Sequence, residues 1–551
     1  MNKIIYLFPL LIVFLMLPLK LETHINNQSG LYSKYKFFVK TKSDLKVSEA
    51  TGKISLQTGI ESMDEKINKY HIKDIKKVFR LNNGNPVIYS KYGMSRIYVF
   101  TIDENKGEFS NIEEIVNNFS KDKEVEFSEP NYIGFSAGVK GTSDLNSIKN
   151  ILNQNEPNDE MFYKQWYLKN NGSLSPTSGG NAKVGADIKI LNTWEIETGS
   201  EEVIVAILDS GIKDDHPDLK EKIWINKEEI PGNGFDDDNN GYIDDYKGWD
   251  FAYDDRRPED GFGHGTNIAT VIGASTDNLL GFSGINKRCK LMNSKNLNAD
   301  NTGEYEWWSE SIKYSVDNGA RIINMSEGGD DYSRVLQTAI NYAQDNNVLI
   351  VAAMMNKGDG RNYYPASLEG VFAVGATDTD DNRCRKFSWG GGSCWGKHIA
   401  VVAPGNKIYG LDFENDYNFE VFWSGTSQST AIVSGIASLL LSQNKLRSAE
   451  EIKRIIKLSS KDLVGDPRED KPGWDKYYGY GRVDSYAALS FDNNNVYKEP
   501  VTDPYVQSPD SENEEDVIEN EKKNMYDNDN DDENDKPAKA VDKKSSEPDR
   551  K

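Results

Sequence analysis

The sequence predicts an α/β fold: a doubly wound, mostly parallel sheet over residues 156–491, preceded by a small α+β domain over residues 30–135. Continuous apolar, β-branched runs such as Val203–Leu208 are typical of strands buried on both faces of a parallel sheet. Such runs alternate with helical patterns along the larger region, as in doubly wound proteins. From residue 492 the chain is acidic and almost without apolar runs, which predicts a disordered tail over residues 492–551.

The composition narrows the class of protein. A net charge of −23 argues against general nucleic-acid binding, because that function needs a basic face. Three cysteines are too few for a disulfide framework. Cys384 and Cys394 bracket a glycine-rich loop and either pair in an exported protein or remain free thiols, whereas Cys289 is expected to be a small buried hydrophobe.

The chain begins with a targeting pattern. Lys3 precedes a run from Ile4 to Leu17 that is apolar except for Pro9, and we therefore predict a secretory signal over residues 1–22. The alternative is an uncleaved N-terminal anchor, although the run is short for a membrane span. Either way we expect a secreted or cell-surface protein that meets a membrane only through this segment.

The first module carries both strand and helix signals. Residues 36–40 and 95–100 predict strands, and Val125–Tyr132 predicts the closing strand. Its helical signal is an apolar face formed by Ile112, Ile115, Val116 and Phe119. The polar stretch 136–155 is expected to be an exposed, cleavable linker to the larger domain.

Two side chains of the larger domain stand where predicted elements meet. Asp209 ends the apolar run that begins at Val203, and the carboxyl ends of such strands face the crevice in which open α/β sheets bind ligands. His264 lies within the glycine-rich segment Gly261–Thr266, just before a small-residue helix. Glycines there allow other backbone to approach closely.

A serine and an asparagine also lie at the ends of predicted elements. Gly425 and Thr426 lead into Ser427 at the start of a run of small and apolar residues, which predicts a buried helix. Helix N-termini present unpaired N–H groups and partial positive charge, so Ser427 has donors ready for a developing oxyanion. Asn356 follows another predicted buried strand.

These segments together resemble the subtilisin-like serine proteases. The resemblance is carried by Asp209–Leu219, Gly261–Thr266, Asn356, Ser424–Thr430 and Tyr477–Asp484, in the order that the family uses. It implies an endopeptidase that acts on proteins or peptides, with Asp209, His264 and Ser427 as catalytic triad and Asn356 as oxyanion donor.

The resemblance also implies a substrate-binding strand. Ser326, Glu327 and Gly328 occupy its positions, and Met355 precedes Asn356 at the wall of the pocket for the side chain before the scissile bond. Glu327 replaces the family's Leu and Met355 its Gly. These departures keep open an alternative, a catalytically impaired scaffold that serves binding or assembly.

The ending Val125–Asn131 resembles the last strand of subtilase propeptides. Such domains assist folding, occupy the active site and are then removed. The larger domain is therefore expected to bind two kinds of partner: protein or peptide substrates, and the chain's own residues 30–135.

An acidic insertion predicts a structural calcium site. Asp236, Asp238 and Asn240 place oxygens at alternate positions before the turn at Gly241, and Asp244 or Asp245 is expected to supply a further ligand. The alternative is a solvated acidic loop. By resemblance to the family, Asp218 is expected to lie near a second calcium position.

Overall fold

The computed structural model describes residues 31–46, 54–106, 111–142 and 156–492. The predicted signal segment 1–22 lies outside these ranges, and so does the predicted tail from residue 493 onward. Among the described helices, none combines the length and the apolar character needed to cross a membrane.

The N-terminal region is a small antiparallel sheet with helices. In chain order its elements are β1 (Tyr32–Thr41), α1 (Glu61–Lys69), β2 (Ile72–Lys77), α2 (Pro86–Tyr92), a 3₁₀ turn (Met94–Arg96), β3 (Ile97–Ile102), α3 (Ile112–Ser120), β4 (Val125–Ser136) and β5 (Val139–Thr142). The strands β4, β1, β3 and β2 lie side by side in that order. The strands predicted over residues 36–40 and 95–100 are confirmed as β1 and β3.

Alternation along β1 divides the apolar side chains of this region between two cores. Phe37 and Val39 pack with the apolar face predicted for α3, all four residues of which are buried. Phe38, on the other side of the strand, belongs to a core shared with the larger domain. The small sheet is thus sandwiched between its own helices and that domain, because successive strand residues point to opposite faces.

The larger domain is built on a seven-stranded sheet. Its elements are a 3₁₀ turn (Phe162–Lys164), α4 (Ile190–Thr193), β6 (Ile204–Asp209), β7 (Gly248–Asp250), α5 (His264–Gly273), β8 (Lys290–Lys295), β9 (Thr302–Glu304), α6 (Tyr305–Asp317), β10 (Ile322–Met325), β11 (Glu327–Gly328), α7 (Arg334–Asp345), β12 (Leu349–Ala353), β13 (Phe372–Thr377), β14 (Ile399–Pro404), β15 (Ile408–Tyr409), β16 (Val421–Ser424), α8 (Thr426–Gln443), α9 (Ala449–Ser459) and α10 (Ser485–Leu489). In this sheet the strands lie side by side in the order β14-β13-β12-β10-β6-β8-β7, and each neighbouring pair is parallel.

Both faces of this sheet are covered, as the apolar runs predicted. Val205 and Ile207 of β6 pack into the core on the side of α5, α8 and α9. Ala206 and Leu208 pack into the core on the side of α6 and α7. The doubly wound α/β prediction is confirmed.

The segment that joins the two regions differs from the predicted exposed linker. Strand β4 runs to Ser136 and pairs with β11 on one side and β9 on the other. After Ala137, which is 2% exposed, and Gly138, the chain continues as β5 against β16. Residues 136–138 are therefore buried against the larger domain and residues 139–142 are held by strand pairing, whereas residues 143–155 of the predicted linker lie outside the described ranges.

Candidate active site

Three predicted side chains meet at one end of the parallel sheet. Asp209 is the last residue of β6, His264 the first of α5, and Ser427 lies in the first turn of α8. Both carboxylate oxygens of Asp209 lie 2.8 Å from Nδ1 of His264, and all three residues are fully buried. A carboxylate so placed orients an imidazole and stabilises its cationic form.

Close packing of α5 on β6 makes the aspartate–histidine pair possible. A Cβ atom on Gly265 would lie 2.0 Å from the carbonyl oxygen of Gly211, just after the end of β6. Only glycine permits this approach. The glycine next to His264 therefore sets the distance between the helix start and the strand end.

The second imidazole nitrogen faces the joining segment. His264 Nε2 is buried and has no hydrogen-bond partner among the residues that the structure describes. A Cβ atom on Gly138 would lie only 2.7 Å from it. The edge-on ring of Trp423, with its centroid 5.0 Å from that of the imidazole, packs against it from another side. The free nitrogen is thus positioned beside the backbone of Gly138.

Two donors converge on the carbonyl oxygen of Ala137. Asn356 Nδ2 donates to it at 2.6 Å, and the backbone N–H of Ser427 donates at 3.2 Å. The side-chain oxygen of Asn356 accepts from the N–H of Thr426 at 2.9 Å, which orients the amide. A pair of pre-positioned donors of this kind stabilises negative charge that develops on a carbonyl oxygen.

The backbone of residues 326–328, which the sequence predicts to bind substrate, pairs with the chain's own residues 135–137. The N–H of Ala137 donates to the carbonyl oxygen of Ser326 at 2.8 Å, and β11 pairs Glu327 with Ser136 and Gly328 with Phe135. Ser427 Oγ donates to the same carbonyl oxygen of Ser326 at 3.0 Å. The substrate strand and the nucleophile position therefore share one hydrogen-bond acceptor.

Two bulky side chains narrow the groove. A Cβ atom on Gly328 would lie 2.6 Å from Sδ of Met355, which is 7% exposed and adopts a positive φ of 72°. A Cβ atom on Gly134 would lie 2.2 Å from the ring of Trp308. The sequence did not single out Trp308, because its role depends on β4 lying next to α6.

Glu327 takes part through its backbone, and its side chain lies in the protein interior. Its Oε1 accepts from Asn296 Nδ2 at 2.9 Å, and Oε2 is buried without a partner in the described ranges. Burial raises the pKa of this carboxyl well above its ordinary range, and the charge of Asp209 adds to the effect. A buried carboxyl group therefore occupies the place of the family's Leu.

The acidic insertion contains a cluster of carboxylates that fits a cation. One oxygen each from Glu229, Asp238 and Asp245 lies within 4.8 Å of the others. Glu229 Oε2 is buried and has no partner among the described residues. Burial, aided by the charge of Asp238, raises the pKa of Asp245 to about 6. Such an oxygen donor set suits a hard divalent ion such as calcium.

Only Asp238 and Asp245 of the predicted ligand set belong to this cluster. The carboxylate of Asp236 accepts from the N–H groups of Asn240 and Gly241. Asp244 forms an ion pair with Arg256. The amide of Asn240 donates to both Asp238 and Asp245 and so helps to hold the cluster.

Sequence reasoning missed Glu229 as a cluster member. It lies outside the spaced run of acids, and the fold of the loop brings it back: its Oε1 accepts from Asp237 N at 2.8 Å. The spacing of acids in the sequence does not mark Glu229, because this residue approaches Asp238 and Asp245 only through the turns between residues 230 and 236.

Asp218 lies in a second polar site. Its oxygens accept from Asn278 Nδ2 at 2.8 Å and Phe282 N at 3.0 Å, and burial raises its pKa to about 7. Asp159 accepts from the backbone of the same loop, from the N–H groups of Asp277 and Asn278. Asp218 and Asp159 therefore hold the same loop through hydrogen bonds.

All three cysteines of the chain fall within the described residues, where they are buried and unpaired. The sequence had left open whether Cys384 and Cys394 pair. The Sγ of Cys394 accepts from the N–H of Lys357, next to Asn356, so its role is one of packing near the site.

The fold and the site define a serine endopeptidase. The chain belongs to the subtilase family, peptidase S8, whose family model matches residues 200–481. The alternative of a non-catalytic scaffold is therefore not adopted.

Individual relatives support this assignment. The chain is 32% identical over 325 residues to thermitase of Thermoactinomyces vulgaris, covering 59% of this chain and all of thermitase. It is 29% identical over 381 residues to a thermophilic serine proteinase of Bacillus sp. (strain AK1), covering 69% of this chain and 77% of the relative. In fold it is similar to the crystal structure of fervidolysin from Fervidobacterium pennivorans, with a TM-score of 0.58, 18% identity, and coverage of 85% of this chain and 62% of that one.

Proposed function

We propose that the chain is the precursor of a serine endopeptidase that holds its own joining segment in the cleft as a substrate and cuts it between Ala137 and Gly138. The single observation that carries this proposal is the position of the Ala137 carbonyl oxygen, shared by Asn356 Nδ2 and the N–H of Ser427.

The reaction follows from the roles of four side chains. Ser427 Oγ attacks the carbonyl carbon of Ala137 while His264 Nε2 takes its proton, and Asp209 stabilises the resulting imidazolium. The oxyanion that forms stays on the donors of Asn356 and Ser427. His264 then returns the proton to the nitrogen of Gly138, which leaves as an amine, and water releases the acyl group from Ser427 by the same steps.

After the cut, residues 31–137 remain attached as an inhibitor through contacts of opposite charge. Lys36 Nζ lies 2.8 Å from Glu304 and 3.2 Å from Glu306, and Lys76 Nζ lies 2.5 Å from Glu306. Paired charges of this kind favour the docked state and fix its register. We therefore propose that this region acts as the propeptide and is later degraded.

A second anchor lies next to the groove. The carboxylate of Glu129 accepts from Ser333 Oγ at 2.6 Å and from the N–H groups of Arg334 and Val335, and so caps the start of α7. Glu129 comes from the propeptide, whereas the helix and its N-cap residue Ser333 belong to the larger domain. Release of the propeptide therefore frees the N–H groups of Arg334 and Val335, and Ser333 remains as the N-cap.

The direct test is the mass of the released fragment. Purified protein is expected to yield an N-terminal fragment that ends at Ala137 and a partner fragment that begins at Gly138, before any further trimming. Fragments that end elsewhere, with the Ala137–Gly138 bond intact, would contradict the proposed cut. Secretion, suggested by the predicted signal segment, is tested by recovery of the activity outside the cells.

Met355 is proposed to limit the residue before the scissile bond to small side chains such as Ala137, which lies in the same apolar cluster. Replacing Met355 by Gly should therefore enlarge the pocket and increase kcat/KM for cleavage after Phe or Tyr by about 10- to 100-fold, since hydrophobic pockets discriminate by ~1–3 kcal/mol per misfit group. A peptide library profiled with both enzymes measures this. Met354→Leu, at the neighbouring buried position, serves as control and should keep the native profile. Identical profiles for Met355→Gly would place specificity elsewhere.

We further propose that Glu229, Asp238 and Asp245 hold a calcium ion, which would neutralise their repulsion and stabilise the insertion. A ligand that binds only the native state raises stability by about 2.7 kcal/mol at a hundredfold excess over Kd. Chelation should therefore lower the Tm by about 4 °C, because the unfolding entropy of a domain over residues 156–491 is about 0.7 kcal/mol/K. Differential scanning calorimetry of the Ser427→Ala protein, which avoids self-digestion, measures this shift.

The calcium prediction has a matched pair of variants. Asp238→Asn with Asp245→Asn removes charge from the cluster and should blunt the response to chelation. Asp300→Asn, at an exposed acid outside the cluster, should respond as the parent does. A Tm that chelation leaves unchanged would indicate a plain acidic loop.

A further inference from the structure

We infer that the cleft contains a subsite for a basic side chain three residues after the scissile bond, formed by Asp412, Phe413 and Glu414. This inference rests on the proposed cut between Ala137 and Gly138, which places Lys140 at that position. The subsite lies on the leaving-group side of the cleft and is distinct from the contacts that Asn356 and residues 326–328 make.

The backbone after the scissile bond is held in register. Strand β5 runs antiparallel to β16, with Val139 opposite Ser424 and Lys140 opposite Trp423. Strand β16 ends two residues before Thr426, where α8 begins. The same stretch of chain therefore positions both the nucleophile and the residues that follow the bond it attacks.

The side chain of Lys140 forms an ion pair with Asp412, whose carboxylate is held in place by Asn418. Its Nζ lies 3.0 Å from Asp412 Oδ1 and 3.8 Å from Glu414, and 5.6 Å from the centre of the Phe413 ring. The other oxygen of Asp412 accepts from Asn418 Nδ2 at 2.7 Å, which fixes the carboxylate. An oriented carboxylate beside an aromatic ring is a favourable site for an ammonium or guanidinium group.

The burial of Asp412 makes the subsite selective. Asp412 is 4% exposed, and within the described ranges Lys140 is the one cation at ion-pair distance from it. When the leaving fragment departs, this carboxylate remains in the groove with a neutral amide as its partner. A substrate with Lys or Arg at this position restores the pair, and one with Glu places like charges together, which opposes binding.

Peptides based on residues 133–142 test the subsite directly. We propose fluorogenic peptides that carry Lys, Arg, Ala or Glu at the position of residue 140, cleaved by the mature enzyme. The expected kcat/KM is about tenfold higher for Lys and Arg than for Ala, and lowest for Glu. Asp412→Asn should remove this advantage, so that it cleaves the Lys, Arg and Ala peptides at similar rates, and Glu195→Gln, at an exposed acid after α4, should retain the advantage. Equal cleavage of all four peptides by the native enzyme would overturn the inference.

A second measurement does not depend on activity. In the full-length Ser427→Ala chain, the pairing of Lys140 with Asp412 should protect the bond after Lys140 from trypsin, and adding Asp412→Asn should speed that cut about tenfold. Equal trypsin rates would overturn the subsite. If the native enzyme cleaves no peptide at all, including the Ala peptide, the proposed function fails, and the trypsin comparison still decides whether the subsite holds Lys140.

Discussion

Replacing Ser427 by Ala is expected to leave the chain uncut between Ala137 and Gly138 and to accumulate the full precursor. The variant lacks the nucleophile, and the two donors to the Ala137 carbonyl oxygen remain in place. Loss of a catalytic serine lowers turnover by about 10⁶-fold in enzymes of this mechanism, so self-processing should not be detectable over a purification. Intact-mass measurement of the purified chain follows the cut.

A matched serine in the same helix provides the control. Ser442 lies near the end of α8 and donates to Ser438 O, away from the start of the helix. Ser442→Ala should mature as the native chain does. Appearance of a fragment ending at Ala137 in purified Ser427→Ala, in the absence of other proteases, would show that another group performs the cut.

Replacing Gly134 by Val is expected to slow self-processing by about 10- to 100-fold. A Cβ atom there would lie 2.2 Å from the Trp308 ring and 2.7 Å from the carbonyl oxygen of Gly328. Strand β4 must then shift, and with it the Ala137 carbonyl that the donors hold. The rate of appearance of the fragment ending at Ala137, measured after refolding, reports the effect.

A second substitution separates this clash from general damage. Trp308→Ala in the Gly134→Val chain removes the obstructing ring and should restore part of the rate, whereas Ile133→Val at the neighbouring position should process normally. An unchanged rate for Gly134→Val would mean that the groove is wide at this point and that Trp308 does not restrict the substrate.

Much of the active site is readable from local sequence because each residue sits at the end of an element that the pattern predicts. Asp209 closes a buried strand, and His264 and Ser427 open small-residue helices. Parallel strands place their carboxyl ends at one edge of a sheet, so these ends necessarily approach one another. The parallel fold thus follows from periodicity, and the convergence of these residues is what the resemblance to the subtilisin-like proteases implies.

The spacing of acids does not show which nearby group each carboxylate binds. Asp236 and Asp244 have the spacing of calcium ligands, yet one caps a turn and the other pairs with Arg256. Backbone N–H groups and a guanidinium compete with a metal for the same oxygens. The sequence shows that acids are concentrated there, and only the folded loop shows which of them remain available.

By itself the sequence determined the parallel α/β fold and the places of Asp209, His264, Asn356 and Ser427, since strand and helix ends are local properties. Only the tertiary structure decided that Ala137 lies between the two oxyanion donors, that Gly134 packs under Trp308, and that Lys140 meets Asp412. That last pair is separated by 272 residues. Contacts across such distances depend on which strand pairs with which, and the periodicity of each strand does not encode its neighbour.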